Sequence, residues 1–330
     1  MFKIAFVGFR HPHIQTLYRL AKENARVQIA AAFEADEAAR RAAEEALGVT
    51  FTHHSLEALL AEPDIDIVAV GDYYGGRGKE IIAALTAGKH VYADKPVCTR
   101  LWELDEICRL QRETGKKVGC MLDMRYLPWV KPVHDYIAAG ALGNIHSVSF
   151  GGQHPLLYGK RASWYFENEG QGGTINDIAV HGVDLVEYFT GKTVERIDCA
   201  RTWNAFATAI PTFKDCAQFM VTLTGGTGLM ADVSYAAPNS CGYQTPYYWR
   251  FVFWGEKGVL ECNYNSKEVR LWLDGKEEET LLPLGDEQTG DCLNVFLDEI
   301  EYKPVAIDTA WTLRLARELL QLQAAADQKE

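Results

Sequence analysis

A chain of 330 residues is longer than one ordinary domain, so two are expected. With 48% hydrophobic and 24% charged residues it has the composition of a soluble globular protein, not a disordered or fibrous one. The net charge of −12 argues against a nucleic-acid partner, which favours a basic face, and leaves sugars, nucleotides and small acids open.

The early elements alternate. Lys3 to Gly8 is a short apolar run ending in glycine, as in a buried parallel strand. Ile14, Leu17 and Leu20 give His13 to Asn24 a helical period. Val27 to Phe33 is a second strand, closed by Glu34, and Asp36 to Leu47 is a solvated helix stopped by Gly48. Ser55 is a suitable N-cap for a short helix to Ala61. Ile65 to Gly71 is a third strand, Lys79 to Ala87 a helix, and His90 to Ala93 a fourth strand. A helix over Leu101 to Thr114 and a strand over Lys117 to Leu122 complete the series. Such alternation means βαβ units and a doubly wound parallel sheet.

The pattern changes near residue 123. Tyr126 to Ala139 is expected to be helical and Ile145 to Gly151 a strand. Most of residues 194–284 has strand character, with glycine turns at Gly225-Gly226, Gly255 to Gly258 and Asp274-Gly275. Residues 291–302 and 307–325 are expected to be closing helices. The fold class is therefore α/β: a Rossmann-like doubly wound parallel sheet over 1–122, then an α+β domain with a large, mostly antiparallel sheet over 123–330. The last helices are free to pack back on the first domain. The eight cysteines are scattered without a C-x-x-C pair, which fits reduced thiols. No apolar run reaches the ~18 residues that span a membrane. Met1-Phe2-Lys3-Ile4 runs directly into a strand, and a cytoplasmic location is expected.

Three places carry chemistry. Gly8-Phe9-Arg10-His11-Pro12-His13 occupies the first strand-to-helix turn, where dinucleotide folds place G-x-G-x-x-G/A. Only the first glycine is present; Arg10 and His13 replace the others. Arg10, His11 and His13 can bring positive charge to a phosphate in place of close backbone approach. The two histidines stand two apart, but no third metal ligand has suitable spacing, so no metal is expected. Glu34, at the end of the second strand, suits the ribose hydroxyls and repels a 2′-phosphate, which favours NAD over NADP. Asp72-Tyr73-Tyr74-Gly75-Gly76-Arg77 follows the third strand and should line the same crevice.

Asp94-Lys95-Pro96 ends the fourth strand, after Gly88-Lys89-His90-Val91-Tyr92-Ala93. An ammonium there can stabilise a developing alkoxide. Asp177 and His181 follow Gly172-Gly173 at i and i+4, one face of a helix. A histidine with its ordinary pKa of about 6.5 can accept a hydroxyl proton near neutrality.

Residues 88–96 and 172–181 together resemble the glucose–fructose oxidoreductase / inositol dehydrogenase (Gfo/Idh/MocA) family of nicotinamide-dependent sugar and polyol dehydrogenases. The resemblance implies that Lys95 matches the lysine of Glu-Lys-Pro, with Asp94 for the glutamate, and that Lys95, Asp177 and His181 are catalytic. It implies cofactor contacts at Gly8, Phe9, Arg10, His11, His13, Glu34, Asp72, Tyr73, Arg77, Asp94 and Lys95. Arg77 stands where the family has a histidine. It implies substrate contacts at Lys95, Arg125, Trp164, Tyr165, Asp177 and His181, with His154, Tyr158 and Arg161 on the same approach segment. The implied cofactor is NAD, with NADP as the second candidate, and the implied assembly is a homodimer or homotetramer through the large sheet. Two other readings stay open. One is a protein of the same fold without redox turnover that binds a sugar or nucleotide. The other uses transient oxidation for elimination or epimerisation.

Overall fold

The computed structural model describes residues 1–288 and 290–328. The chain divides into two compact units: residues 1–122, 167–172 and 290–317, and residues 123–166, 173–289 and 318–330. No helix among the described residues is long and apolar enough to cross a membrane.

In the first unit, strands β1 (Phe2–Val7), β2 (Val27–Phe33), β3 (Ile67–Val70), β4 (His90–Ala93) and β5 (Val118–Cys120) form one sheet in the order β2-β1-β3-β4-β5. All four pairings are parallel. β3 is buried along its whole length, as expected for a strand covered on both faces. The crossovers are α1 (His13–Glu23), α2 (Glu37–Leu47), α3 (Leu56–Leu60), α4 (Tyr74–Thr86) and α5 (Leu101–Thr114). Chain order reverses across β1 and β3, so their carboxyl ends flank the crevice where such sheets bind ligands.

α4 starts five residues before the expected Lys79, despite Gly75, Gly76 and Gly78 in its first turns. Glycine weakens an isolated helix, but packing overrides that preference here. A Cβ on Gly78 would lie 2.5 Å from the Glu103 carboxyl carbon, and one on Gly75 would lie 2.1 Å from the Glu169 carbonyl oxygen. These glycines allow close approach and do not mark a loop.

The second unit opens with a 3₁₀ turn (Asp123–Tyr126) and then α6 (Val130–Ala138), shorter than the helix expected from Tyr126. Pro128 is the physical reason, since proline disfavours helix at the residue before it. Next come β6 (Ile145–Pro155), α7 (Val180–Thr190), β7 (Val194–Trp203), β8 (Cys216–Leu223), β9 (Thr227–Ala237), β10 (Arg250–Gly255), β11 (Gly258–Asn263), β12 (Val269–Leu273) and β13 (Thr280–Leu282). The sheet order is β13-β12-β11-β10-β6-β9-β8-β7. Only β6–β9 pairs parallel. One face buries Phe150, Phe219, Phe251 and Phe253. Trp129 and Phe189 pack on Phe251, and Phe189 also on Phe253.

Helices α8 (Asp291–Ile300) and α9 (Thr309–Asp327) end the chain. α8 belongs to the first unit, where Phe296 packs on Tyr92 and Asp298 takes Arg26 at 2.7 Å.

His90 at the start of β4 accepts the Lys117 N–H on Nδ1 at 2.9 Å. Burial, aided by Lys116, pushes its imidazole down to about 4. The fold thus holds the ring neutral, while the unfolded chain takes up a proton below about pH 6.5. Stability should fall as pH drops from about 6.5 towards 4. Guanidinium midpoints at pH 7 and pH 5 should decline less for His90→Gln than for the parent; equal declines would refute this account.

Candidate active site

β1 ends in Gly8 at φ +75°, in the left-handed region that suits glycine. A Cβ there would lie 2.5 Å from the Asp72 Cβ, so the turn passes directly against the end of β3. The ring of Phe9 joins the core beside Tyr18 and Phe51. Its amide donates to Glu34 Oε2 at 2.5 Å, and Glu34 Oε1 accepts the Asp36 N–H at 2.7 Å. Glu34 therefore ties the β1 turn to the start of α2. Burial pushes its carboxyl upward in pKa, against these two amide bonds.

Arg10 donates through Nε and Nη2 to the two oxygens of Asp72 and lies 4.1 Å over the Tyr73 ring. Its charge is thus half-spent before any ligand arrives. Arg77 is wholly buried. It donates to the carbonyls of Asp72 (2.7 Å), Asp94 (3.0 Å) and Pro96 (2.8 Å), and so clamps the end of β3 to the end of β4. The sequence placed Arg77 in a ligand-lining loop; it is a clamp within α4.

Asp94 is the centre of this cluster. One oxygen takes His11 Nδ1 and Arg77 Nη2 (3.3 Å); the other faces His13 Nδ1 at 3.2 Å and accepts the Lys95 N–H at 2.6 Å. Burial opposes ionisation, but His11, Arg77 and His13 outweigh it and hold this carboxyl well below the usual carboxylate range. His11 responds oppositely: burial pushes its imidazole down to about 3 against the pull of Asp94. Lys95 is buried, with Nζ 3.3 Å from the Tyr74 hydroxyl, which also meets His11 Nε2 at 3.0 Å. Tyr74 was not among the expected site residues. No sequence signal distinguishes it from its neighbour Tyr73.

This crevice fits a dinucleotide in one further respect. α1 and α4 begin on Pro12 and Tyr73 with no side-chain cap and no acid in the first turn. α2 and α3 are capped by Asp36 and Ser55. The uncapped helix ends therefore flank the crevice, where N–H groups and helix dipoles favour phosphate.

The second unit holds a separate cluster. Gly173 (φ +98°) leaves no room for a side chain, since a Cβ would lie 2.1 Å from Gln323 Cδ. Gln323 Oε1 accepts the N–H groups of Ile175 (2.9 Å) and Asn176 (3.4 Å). The chain then runs through a π-helical turn, Ile175–Ala179, into α7. Asp177 lies on the π turn and His181 on the α-helix, so the expected single α-helical face is corrected. π turns of this kind recur at functional sites. The Tyr235 hydroxyl donates to Asp177, and burial together with the Asp177 charge holds its pKa well above the usual phenol range. The phenol thus stays the donor and Asp177 the acceptor. His181 is buried, 5.8 Å from the Trp249 ring. Trp249 is itself buried at φ +57°, an uncommon backbone for a large side chain, and such strain concentrates at functional sites.

His154 touches the Tyr235, Tyr248 and Trp249 rings at 6.2, 4.9 and 5.5 Å. The Arg161 guanidinium lies 4.6 Å over Tyr165 and 5.0 Å over Tyr235. Trp164 and Tyr165 stack at 4.0 Å. Tyr158 is exposed, against Phe166. Arg125 is bound to Asp184, three residues beyond His181 on α7. Tyr235 and Gln323 escaped the sequence reading because nothing local marks them; they are 58 and 146 residues from Asp177.

The description "Oxidoreductase family, NAD-binding Rossmann fold" matches residues 2–121, and "GFO/IDH/MocA C-terminal domain" matches residues 130–261. The chain belongs to the Gfo/Idh/MocA family. It is 29% identical over 162 residues to D-xylose dehydrogenase of Paenarthrobacter nicotinovorans, covering 48% of this chain and 40% of that one. It is 32% identical over 161 residues to 1,5-anhydro-D-fructose reductase of Ensifer adhaerens, covering 47% and 46%. The chain thus matches less than half the length of these curated relatives. An oxidoreductase domain protein from Kribbella flavida shares its fold at TM-score 0.83 and 20% identity, covering 100% of this chain and 98% of that one.

Gly8→Ala should lower stability by at least about 1 kcal/mol, the scale of a strained left-handed residue, and should also weaken NADH binding by displacing Asp72. Gly48→Ala carries similar strain (φ +67°) with open space around it. It should therefore lower the melting temperature without changing NADH affinity in a fluorescence titration. Equal effects of the two on NADH would refute the role assigned to Gly8.

Proposed function

We propose that the protein is an NAD(P)-dependent oxidoreductase that moves a hydride between the nicotinamide and a secondary alcohol of a sugar, polyol or related hydroxy compound. The observation that carries this is the buried Lys95 at the carboxyl end of β4, on a unit matching the family's NAD-binding fold. The relatives named for D-xylose and 1,5-anhydro-D-fructose support the substrate class. Bound nicotinamide supplies the hydride acceptor. The chain's own residues orient the alcohol and manage its proton.

In this reading Lys95 and His181 act on the same hydroxyl. His181 takes the proton, Lys95 stabilises the oxygen as negative charge develops, and Asp177, fixed by Tyr235, orients the substrate. Gly8, Arg10, His11, His13, Glu34, Asp72, Tyr73 and Asp94 form the cofactor side; Arg125, Trp164 and Tyr165 belong to the substrate side. Glu34 favours NAD, because its buried carboxylate repels a 2′-phosphate.

Titration with NAD, NADH, NADP and NADPH should show tighter binding of the NAD forms, and Glu34→Ala should narrow the difference. Lys95→Ala and His181→Ala should each lower turnover on a responsive polyol or aldose by about 10²–10⁴ while leaving NADH affinity within a few-fold. Their effects should be non-additive. Absence of binding by all four nucleotides at millimolar concentration would end the dehydrogenase reading.

We further propose that the exposed face of the large sheet joins two copies of the chain. Met220, Met230, Ser149 and Val252 lie side by side across β8, β9, β6 and β10. Trp254, Val259 and Trp272 form a second row. Met220 and Met230 are 50% and 56% exposed and line a depression of about 750 Å³. Apolar surface of this continuity marks interfaces. Light scattering should give at least twice the 36.9 kDa chain mass, and Met230→Glu should shift it towards one chain. A parent protein that is monomeric at micromolar concentration would refute the interface.

A further inference from the structure

The turn after β1 carries a donor set that hydride transfer does not need. Two of the nine histidines stand on either side of Pro12. Both turn Nδ1 towards one carboxylate: His11 contacts one oxygen of Asp94, and His13 lies 3.2 Å from the other. One donor atom from each of the three residues lies within 4.8 Å of the other two. The two rings are 4.4 Å apart and inclined at 63°, so they converge edge-on and do not stack.

We propose that His11, His13 and Asp94 form a binding site for a divalent transition-metal ion of the zinc type. Two imidazoles and a carboxylate are a recurrent donor set for such ions, and three protein ligands leave a position for an outside oxygen. The surroundings fit this role. His11 Nε2 meets the Tyr74 hydroxyl at 3.0 Å, the kind of outer contact that fixes which ring nitrogen faces a metal. Arg77 and the Lys95 amide hold Asp94 in place. The side chains of His11 and Asp94 are 5% and 0% exposed, whereas that of His13 is 39% exposed, so the site has two fixed ligands and one open side. His13 reaches Asp94 from the open side of the site, at 3.2 Å, while His11, Arg77 and the Lys95 amide hold the carboxylate from within. The nearby cations do not forbid an ion: Arg10 is paired with Asp72, and Arg77 is spread over the carbonyls of Asp72, Asp94 and Pro96.

The same three residues lie on the proposed cofactor side, so the test reads metal binding directly and does not depend on turnover. The test uses the full chain, stripped with a chelator and titrated with Co²⁺, whose visible absorption reports imidazole and carboxylate ligation. One equivalent should bind and be displaced by Zn²⁺. His13→Ala, and separately His13→Gln, should abolish the absorption while far-ultraviolet circular dichroism stays unchanged. Tyr74→Phe should weaken binding by about 10–100-fold, the usual scale for an outer-shell partner. His54→Ala, an exposed histidine on another loop, should change nothing. Absence of Co²⁺ absorption at millimolar metal, or absorption that survives both His13 variants, would overturn the proposal.

Discussion

The first unit depends on one carboxylate. Asp94 lies at the end of β4 with no exposure, yet it stays ionised because four elements supply it with partners. The β1 turn contributes His11, the start of α1 contributes His13, α4 contributes Arg77, and its own loop contributes the Lys95 amide. A buried charge stripped of such partners costs about 3–5 kcal/mol. The arrangement therefore fixes the carboxyl ends of β1, β3 and β4 in one register. Lys95 inherits its position from that register, and a lysine so placed is pre-oriented before substrate arrives.

The same cluster explains how a crevice that lacks two of the usual glycines keeps its shape. In the ordinary dinucleotide turn, glycines admit the backbone to the pyrophosphate. Here only the first of these glycines, Gly8, is present, and Asp72 packs against it. Arg10 occupies the second glycine position with its charge committed to Asp72. Glu80 adds a half-buried carboxyl beside Asp72, pushed upward in pKa by burial and by the Asp72 charge. The local balance is thus a set of matched pairs, and a phosphate would meet uncapped helix ends rather than a free arginine.

What the sequence disclosed depended on the range of the interaction. The β4 end was legible because Gly88 to Pro96 is contiguous: a helix stop, a buried strand and a ligand-facing turn within nine residues. The parallel sheet was legible from its strand–helix alternation, and the larger sheet from its glycine turns. Three features were hidden. The glycines of α4 imply a loop, and only Glu103 and Glu169, distant in sequence, reveal them as close-packing positions. The spacing of Asp177 and His181 suits an α-helix, whereas Gln323 receives the first amides and the chain takes a π turn. The third donor to the histidine pair is Asp94, more than eighty residues away, and no spacing rule reaches across a sheet.

The second unit follows the same physical rule with different groups. Asp177 is buried, and the Tyr235 phenol donates to it. Seven residues further along, buried Asp184 takes the Arg125 guanidinium. Each aspartate of this segment is thus held by a residue distant in sequence. Trp249 adds to the first of these clusters. Its strained backbone at φ +57° holds an aromatic wall beside His181. The histidine is buried against that ring, and a lower local dielectric strengthens polar contacts there. Strain at Trp249 is a cost to stability, and it lies in the cluster that contains His181. A fold selected for stability alone would have relaxed it.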